Sequence, residues 1–112
     1  MIKADFKLKA FHPGEVLRED FLKPLKLKQA ELADRMGVSR SYVSEICRCQ
    51  KGISVEFAFR LSKVFGTDPG WWLRMQLAWD MQVSEGSAEL MQELEHIVPI
   101  KMPGSYSEAQ AA

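Results

Sequence analysis

The sequence has few of the features that mark membrane, secreted or disulfide-linked proteins. No apolar run approaches the roughly 18 residues that a membrane-spanning helix needs, and the first residues lack the apolar stretch of a secretory signal. The two cysteines, Cys47 and Cys49, are too few and too close together for a disulfide framework or a zinc site. We therefore expect a cytoplasmic protein without a metal, a cofactor or a membrane association.

Catalytic motifs are also missing from the sequence. It has no glycine-rich phosphate loop, no His/Cys cluster with metal-ligand spacing and no nucleophile beside a base. Glu19 and Asp20 are adjacent, but on a helix their carboxylates diverge and do not form a catalytic pair. We expect that the protein is not an enzyme.

The charge is divided unevenly along a chain of ordinary globular composition. The 112 residues are 46% apolar and 27% charged, which fits one domain. Residues 1–65 hold 13 Lys/Arg against 8 Asp/Glu, whereas residues 66–112 hold 2 against 7. Two oppositely charged halves indicate two surfaces with different partners, and the basic one is suited to phosphate.

Helical spacing of apolar residues recurs along the chain, and no stretch alternates with the period of a strand. The pattern predicts an all-α bundle of five or six helices. The first helix starts at Pro13 and ends at Pro24, because proline cannot continue a helix without losing a hydrogen bond. The later helices are expected at 28–36, 40–48, 54–65 and 69–83, with a shorter one from Ser87. Residues 1–11 are predicted to form an arm, 12–83 the main domain, and 84–112 a C-terminal helix and loose tail.

Two short helices joined by Met36-Gly37-Val38-Ser39 have the spacing of a helix-turn-helix. Gly37 accepts a positive φ in the turn without steric cost, and Ser39 is placed to cap the second helix. A helical wheel puts five polar side chains on the outward arc of that helix: Arg40, Ser41, Ser44, Glu45 and Arg48. Arginine and serine suit base edges and phosphates, although geometry alone equally allows an ordinary α-bundle.

Several sequence blocks in this region carry a family resemblance. Gln29-Ala30-Glu31-Leu32-Ala33, Gly37-Val38-Ser39, Val43-Ser44-Glu45-Ile46 and Lys51-Gly52 resemble the phage-repressor-like (XRE, or Cro/C1) helix-turn-helix. The flanking blocks are similar to the HigA family of addiction-module antitoxins: His12-Pro13-Gly14-Glu15-Val16-Leu17, Ala58-Phe59-Arg60-Leu61, Phe65-Gly66-Thr67 and Trp72-Leu73-Arg74-Met75-Gln76. The resemblance covers about residues 12–83. Residues 48–52 depart from it, since relatives more often have Asn-Gly or Asn-Asn there.

The resemblance implies a lambda-repressor-like fold and a homodimer that binds a palindromic operator in double-stranded DNA. It further implies repression of the protein's own operon and neutralisation of a HigB-type toxin that cleaves mRNA. By motif position, the bases are read by Arg40, Ser41, Ser44 and Glu45. Gln29, Ser39 and Arg48 are expected to contact phosphates. Lys51 is a further candidate for a phosphate contact, because of its position and its charge.

The fifth predicted helix is apolar nearly all round, which leaves two interpretations. It is either a central core helix or a helix whose outer side forms the dimer contact, through Trp71, Met75 and Trp79. The sixth helix has one apolar stripe (Leu90, Met91, Leu94 and Ile97 or Val98) that favours packing onto its own domain. Its acidic back, with Glu89, Glu93 and Glu95, leaves a site for a basic partner as the alternative. A stand-alone regulator without a toxin, or a protein-interaction module whose helix-turn-helix is purely structural, remain alternative functions.

Overall fold

The computed structural model describes residues 9–104, and that part of the chain contains six helices and no strand. This confirms the predicted all-α class. The helices are α1 (Pro13–Val16, continued through Leu17–Leu22 and Lys23–Leu25), α2 (Gln29–Met36), α3 (Arg40–Cys47), α4 (Val55–Phe65), α5 (Pro69–Glu85) and α6 (Ala88–Glu95). None of these helices is both long and apolar enough to cross a membrane. The predicted arm over residues 1–8 and the tail beyond residue 104 lie outside the described residues.

Helix α1 changes its winding in the middle and passes through a proline. Its central stretch, Leu17–Leu22, is π-helical, and the N–H of Lys23 bonds to the carbonyl of Arg18 five residues back. The prediction that the helix ends at Pro24 is wrong, because the helix continues to Leu25. In an α-helix, a proline ring collides with the carbonyl four residues earlier. The wider π-helical winding before Pro24 moves that carbonyl away, so the helix can continue past the proline. Lys26 then ends the helix with a left-handed φ of 54°.

The helix-turn-helix forms where the sequence predicts it. Gly37 ends α2 with a φ of 69°, and the hydroxyl of Ser39 accepts a hydrogen bond from the N–H of Tyr42 at 3.1 Å to begin α3. Ser54 caps α4 and Ser87 caps α6 in the same way. These termini confirm the predicted boundaries, because each is fixed by a local side chain or a glycine.

The C-terminal part departs from the prediction. Asp68 precedes Pro69 at the start of α5, but its carboxylate pairs with Arg74 instead of capping the helix. Helix α6 ends at Glu95, so Ile97 and Val98 lie beyond it, exposed, rather than on its apolar stripe. No residue of α6 is fully buried. Leu90 is half-buried, whereas Met91 and Leu94 are exposed, so only part of the apolar stripe packs onto its own domain.

One core joins α1 to α5 around the helix-turn-helix. Leu17, Leu32, Val43, Ile46 and Leu61 are all fully buried in it. Trp72 closes the core, and its indole N–H donates to the hydroxyl of Thr67 at 2.7 Å. Within residues 9–104, α6 contributes no buried residue, and Trp72 is the one fully buried residue of α5.

Gly14 lies where α1 packs tightly against the last turn of α3. A Cβ atom built on Gly14 would lie 1.7 Å from the carbonyl oxygen of Ile46, in the last turn of α3. That distance is shorter than any non-bonded contact, and its partner is backbone, which cannot rotate away. A side chain at this position would push α1 off α3.

We predict that Gly14→Ala destabilises the protein by about 3 kcal/mol, because the clash with backbone forces two helices apart. Chemical denaturation followed by circular dichroism measures the change. Gly86→Ala is the matched control, since Gly86 has an ordinary helical φ of −84° and a Cβ there would make normal contacts of 3.5 Å or more. Equal stability of the two variants would contradict the inferred close approach.

Candidate nucleic-acid interface

Helix α3 separates an apolar inner side from a polar outer side, as the helical wheel predicts. Val43, Ile46 and Cys47 are fully buried. On the outer side, Arg40, Ser41 and Arg48 are exposed, and Ser44 and Glu45 are half-buried. The structure therefore brings the predicted base-reading residues together on one face.

Ion pairs hold the charged side chains of this face near the turn. The guanidinium of Arg40 bonds to both carboxylate oxygens of Asp34 across the turn, at 2.9 and 3.3 Å. The ammonium of Lys51 lies 3.4 Å from the carboxylate of Glu45 and 4.8 Å from the centre of the Tyr42 ring. The Arg40–Asp34 pair is solvent-exposed and the Lys51–Glu45 pair partly so, and such pairs contribute little to stability. Phosphate or a base edge can therefore replace the carboxylates at small cost.

The N-terminus of α2 has backbone hydrogen-bond donors that no side chain caps. Lys28 occupies the capping position without a side-chain hydrogen bond, and Gln29 is the first helical residue. The first N–H groups of a helix have no partner within it and attract anions. Ser39 uses its hydroxyl oxygen as the cap of α3, which leaves the hydroxyl proton free to be donated. Ser39 therefore lies at the start of α3, and Gln29 lies at the start of the preceding helix of the motif.

Two arginines outside the motif complete its helix ends, a role that the sequence analysis missed. Arg18 of α1 donates to the carbonyl of Cys47, the last residue of α3. Arg60 of α4 donates to the carbonyl of Met36, the last residue of α2. Carbonyls at a helix C-terminus lack partners within the helix and favour a positive charge. Nothing local in the sequence distinguishes these arginines from those of the outer face.

The stretch after α3 takes a defined course despite its departure from the family pattern. Cys49 adopts a φ of 62°, and two hydrogen bonds close the helix end, from the N–H of Cys49 to Ile46 and from that of Gln50 to Glu45, both at 2.9 Å. This is the Schellman arrangement in which glycine is the usual residue. Burial raises the pKa of the Cys47 thiol to about 11.

His12 begins α1, as the sequence predicts. Its Nδ1 accepts a hydrogen bond from the N–H of Gly14 at 2.9 Å, and its ring packs edge-on against Trp79 at 5.4 Å. Burial lowers the pKa of His12, against the opposing influence of Asp80 and Glu15. The neutral imidazole is therefore favoured, which is the form that accepts at Nδ1.

The predicted dimer residues do not share one exposed face. Met75 packs against the core and Trp79 against His12, so both turn toward their own chain. Trp71 is 38% exposed, beside Phe21 and Trp72. The apolar side chains that α5 presents to solvent lie elsewhere on the helix, and they are Leu77, Met81 and Val83.

Comparison with known proteins agrees with this geometry. Residues 19–72 match the family model described as helix-turn-helix. Virulence-associated protein I of Dichelobacter nodosus is 42% identical over 94 residues, which cover 84% of each chain. The structure of the Pseudomonas aeruginosa antitoxin HigA with the higBA promoter superposes with a TM-score of 0.74 at 33% identity, covering 83% of this chain and 100% of that one. The chain belongs to the HigA-like helix-turn-helix family. A second neighbour, antitoxin GraA in complex with its operator, has a TM-score of 0.76 at 31% identity, over 89% of this chain and 100% of that one.

Membership of the HigA-like family makes this chain a DNA-binding transcriptional regulator. We expect α3, the second helix of the helix-turn-helix, to be its recognition helix. We predict that Arg40→Ala weakens binding to the preferred duplex by about 1–3 kcal/mol and flattens the preference among sequences. Fluorescence anisotropy with duplexes that differ at single base pairs measures both effects.

Arg74→Ala is the matched control for this substitution. Arg74 is an equally exposed arginine, on α5, and it pairs with an aspartate six residues earlier just as Arg40 does. Its loss should leave DNA binding unchanged. If both variants lost the same affinity, the effect would come from net charge and Arg40 would not read a base.

Proposed function

We propose that this protein is the antitoxin of a HigBA-type module, a cytoplasmic repressor that acts on the promoter of its own operon. The carrying observation is the outer face of α3, where Arg40, Ser41 and Arg48 are exposed and Ser44 and Glu45 are half-buried. In this proposal Arg40, Ser41, Ser44 and Glu45 read bases in the major groove. Gln29, Ser39, Arg48 and Lys51 contact phosphates, which fixes the orientation on the duplex.

The relatives support the DNA target. HigA of Pseudomonas aeruginosa was crystallised with the higBA promoter and GraA with its operator. A protein that reads a palindromic operator does so as a two-fold dimer, with recognition helices about 34 Å apart along the duplex. We therefore infer that two copies of this chain bind one operator.

The C-terminal part supplies the surface for such contacts. Leu77 and Met81 of α5 are each more than half exposed, and so are Ile97 and Val98 after α6. Apolar surface of this kind is typical of protein interfaces. We assign the outer side of α5 to the dimer, with Trp71 at its edge. The prediction that Met75 and Trp79 form the contact is changed accordingly, because both are engaged within the chain.

The acidic half of the chain is the proposed site of the toxin. Residues 66–112 hold 7 acidic against 2 basic residues, and Glu89, Glu93 and Glu95 on α6 are exposed. A ribonuclease directed at mRNA needs a basic surface for phosphate, and an acidic surface attracts it. A small basic ribonuclease encoded beside this chain is the expected partner.

The test is binding to a labelled duplex from directly upstream of the protein's own gene, beside a scrambled duplex of the same composition. We expect preference for the upstream duplex, with an affinity that falls steeply as salt rises, because phosphate contacts release counterions. Equal, weak binding to both duplexes would contradict autoregulation. Co-purification with the neighbouring gene product then tests the toxin separately.

The dimer surface has its own test. Leu77→Asp should shift the protein to monomers in sedimentation experiments and weaken binding to the upstream duplex, because a charge opposes burial of α5. Phe59→Asp on α4 is the matched control, since Phe59 is 60% exposed against 61% for Leu77. A Leu77→Asp protein that remained dimeric would place the dimer contact elsewhere.

A further inference from the structure

The side-chain amide of Gln76 bridges α5 and the loop that follows the recognition helix. Its Oε1 accepts a hydrogen bond from the N–H of Ile53 at 2.7 Å, and its Nε2 donates to Oδ1 of Asp80 at 2.9 Å. The second bond fixes which end of the amide faces the loop. Gln76 lies outside residues 19–72, the part of the chain that matches the helix-turn-helix family.

The hydrogen bond from Ile53 to Gln76 fixes one end of the segment 50–53, and the other end is fixed as well. At the start, the N–H of Gln50 bonds to the carbonyl of Glu45 at 2.9 Å. At the finish, Ile53 is 5% exposed and bonded to Gln76. Lys51 lies between these two anchors. Its ammonium is kept beside α3 by Glu45 and the ring of Tyr42.

Gly52 shows how closely the loop and the amide fit together. A Cβ atom on Gly52 would lie 2.9 Å from Nε2 of Gln76, although Gly52 itself is exposed on its other side. The neighbour is the end of a flexible side chain, so an alanine here displaces the amide without a clash against backbone. The contacts of this amide therefore restrict the loop at two successive residues, Gly52 and Ile53.

We propose that Gln76 is a positioning residue for DNA binding, which holds the loop so that Lys51 meets the phosphate backbone beside the recognition helix. This inference rests on the phosphate contact of Lys51 in the proposed function. A held loop presents its lysine without the entropy cost of ordering the backbone on binding. In this proposal α5, which carries the dimer surface, also positions Lys51 for its contact with phosphate.

A double-mutant cycle of Lys51→Ala and Gln76→Ala tests the proposal, with binding measured on a scrambled duplex at several low salt concentrations. A phosphate contact does not depend on base sequence, so this probe works whether or not the operator has been identified. We expect Lys51→Ala to weaken binding about tenfold, and to lower the slope of log affinity against log salt by about one for each protomer. Gln76→Ala should act in the same direction, and the double variant should bind no more weakly than Lys51→Ala alone.

Two further variants make the cycle specific. Gly52→Ala displaces the amide while Gln76 stays in the chain, so Gly52→Ala should have the same effect on binding as Gln76→Ala. If the Gln76→Ala protein does not fold, Gly52→Ala takes its place in the cycle. Gln82→Ala is the matched control: Gln82 is a half-buried glutamine of the same helix, and its amide has no hydrogen-bond partner within residues 9–104. Its binding should equal that of the unsubstituted protein.

The possible outcomes separate the two claims. If Lys51→Ala changes neither affinity nor salt slope, the phosphate contact assigned to Lys51 fails. If Lys51→Ala has its effect but the losses from Gln76→Ala and Lys51→Ala simply add, Gln76 does not act through Lys51 and the inference is overturned. A Gln76→Ala protein that loses thermal stability but keeps its salt slope would likewise have only a structural role.

Discussion

The buried carboxyl end of the recognition helix is the constraint on which the rest of the structure depends. At Gly14, α1 approaches the last turn of α3 so closely that only a hydrogen atom fits, and Arg18 of the same helix donates to the carbonyl of Cys47. A buried helix end without such partners would leave its carbonyls unsatisfied. The course of α1 is therefore set by α3. In turn, α3 is held by its inner side and its end, which leaves the outer side open.

The arginines of residues 1–65 have two roles: some bond to the ends of helices, and others lie on the outer face of α3. Arg18 and Arg60 turn inward to satisfy the ends of the helix-turn-helix, whereas Arg40 and Arg48 remain on the outer face. The excess of positive charge in residues 1–65 therefore overstates the charge available to DNA. At the outer face, exposed carboxylates keep the cations in place while nothing is bound. Because such pairs are weak, they keep side chains near their targets without competing strongly with phosphate.

Features that depend on residues close together in the sequence were predictable, whereas features that depend on distant residues were not. The end of α2, the start of α3 and both ends of α4 were predictable, because a serine cap or a left-handed glycine fixes each of them within four residues. The end of α1 was not, because the effect of Pro24 depends on the winding of the turns before it. The outer face of α3 could be predicted from helical periodicity. The hydrogen bond that holds the loop after α3 joins Ile53 to Gln76, 23 positions later, so no local sequence pattern indicates it.

By itself, the sequence determined the helical class, the helix-turn-helix, its outward side chains and the family, because each depends on short-range spacing and on turn residues. Only the tertiary structure decided which side of α5 is inner. That helix is apolar nearly all round, so periodicity gives it no preferred face, and packing turns Met75 and Trp79 inward while Leu77 and Met81 stay exposed. The same holds for Arg18, Arg60 and Gln76. Their partners are backbone groups of distant segments, which every residue type carries alike.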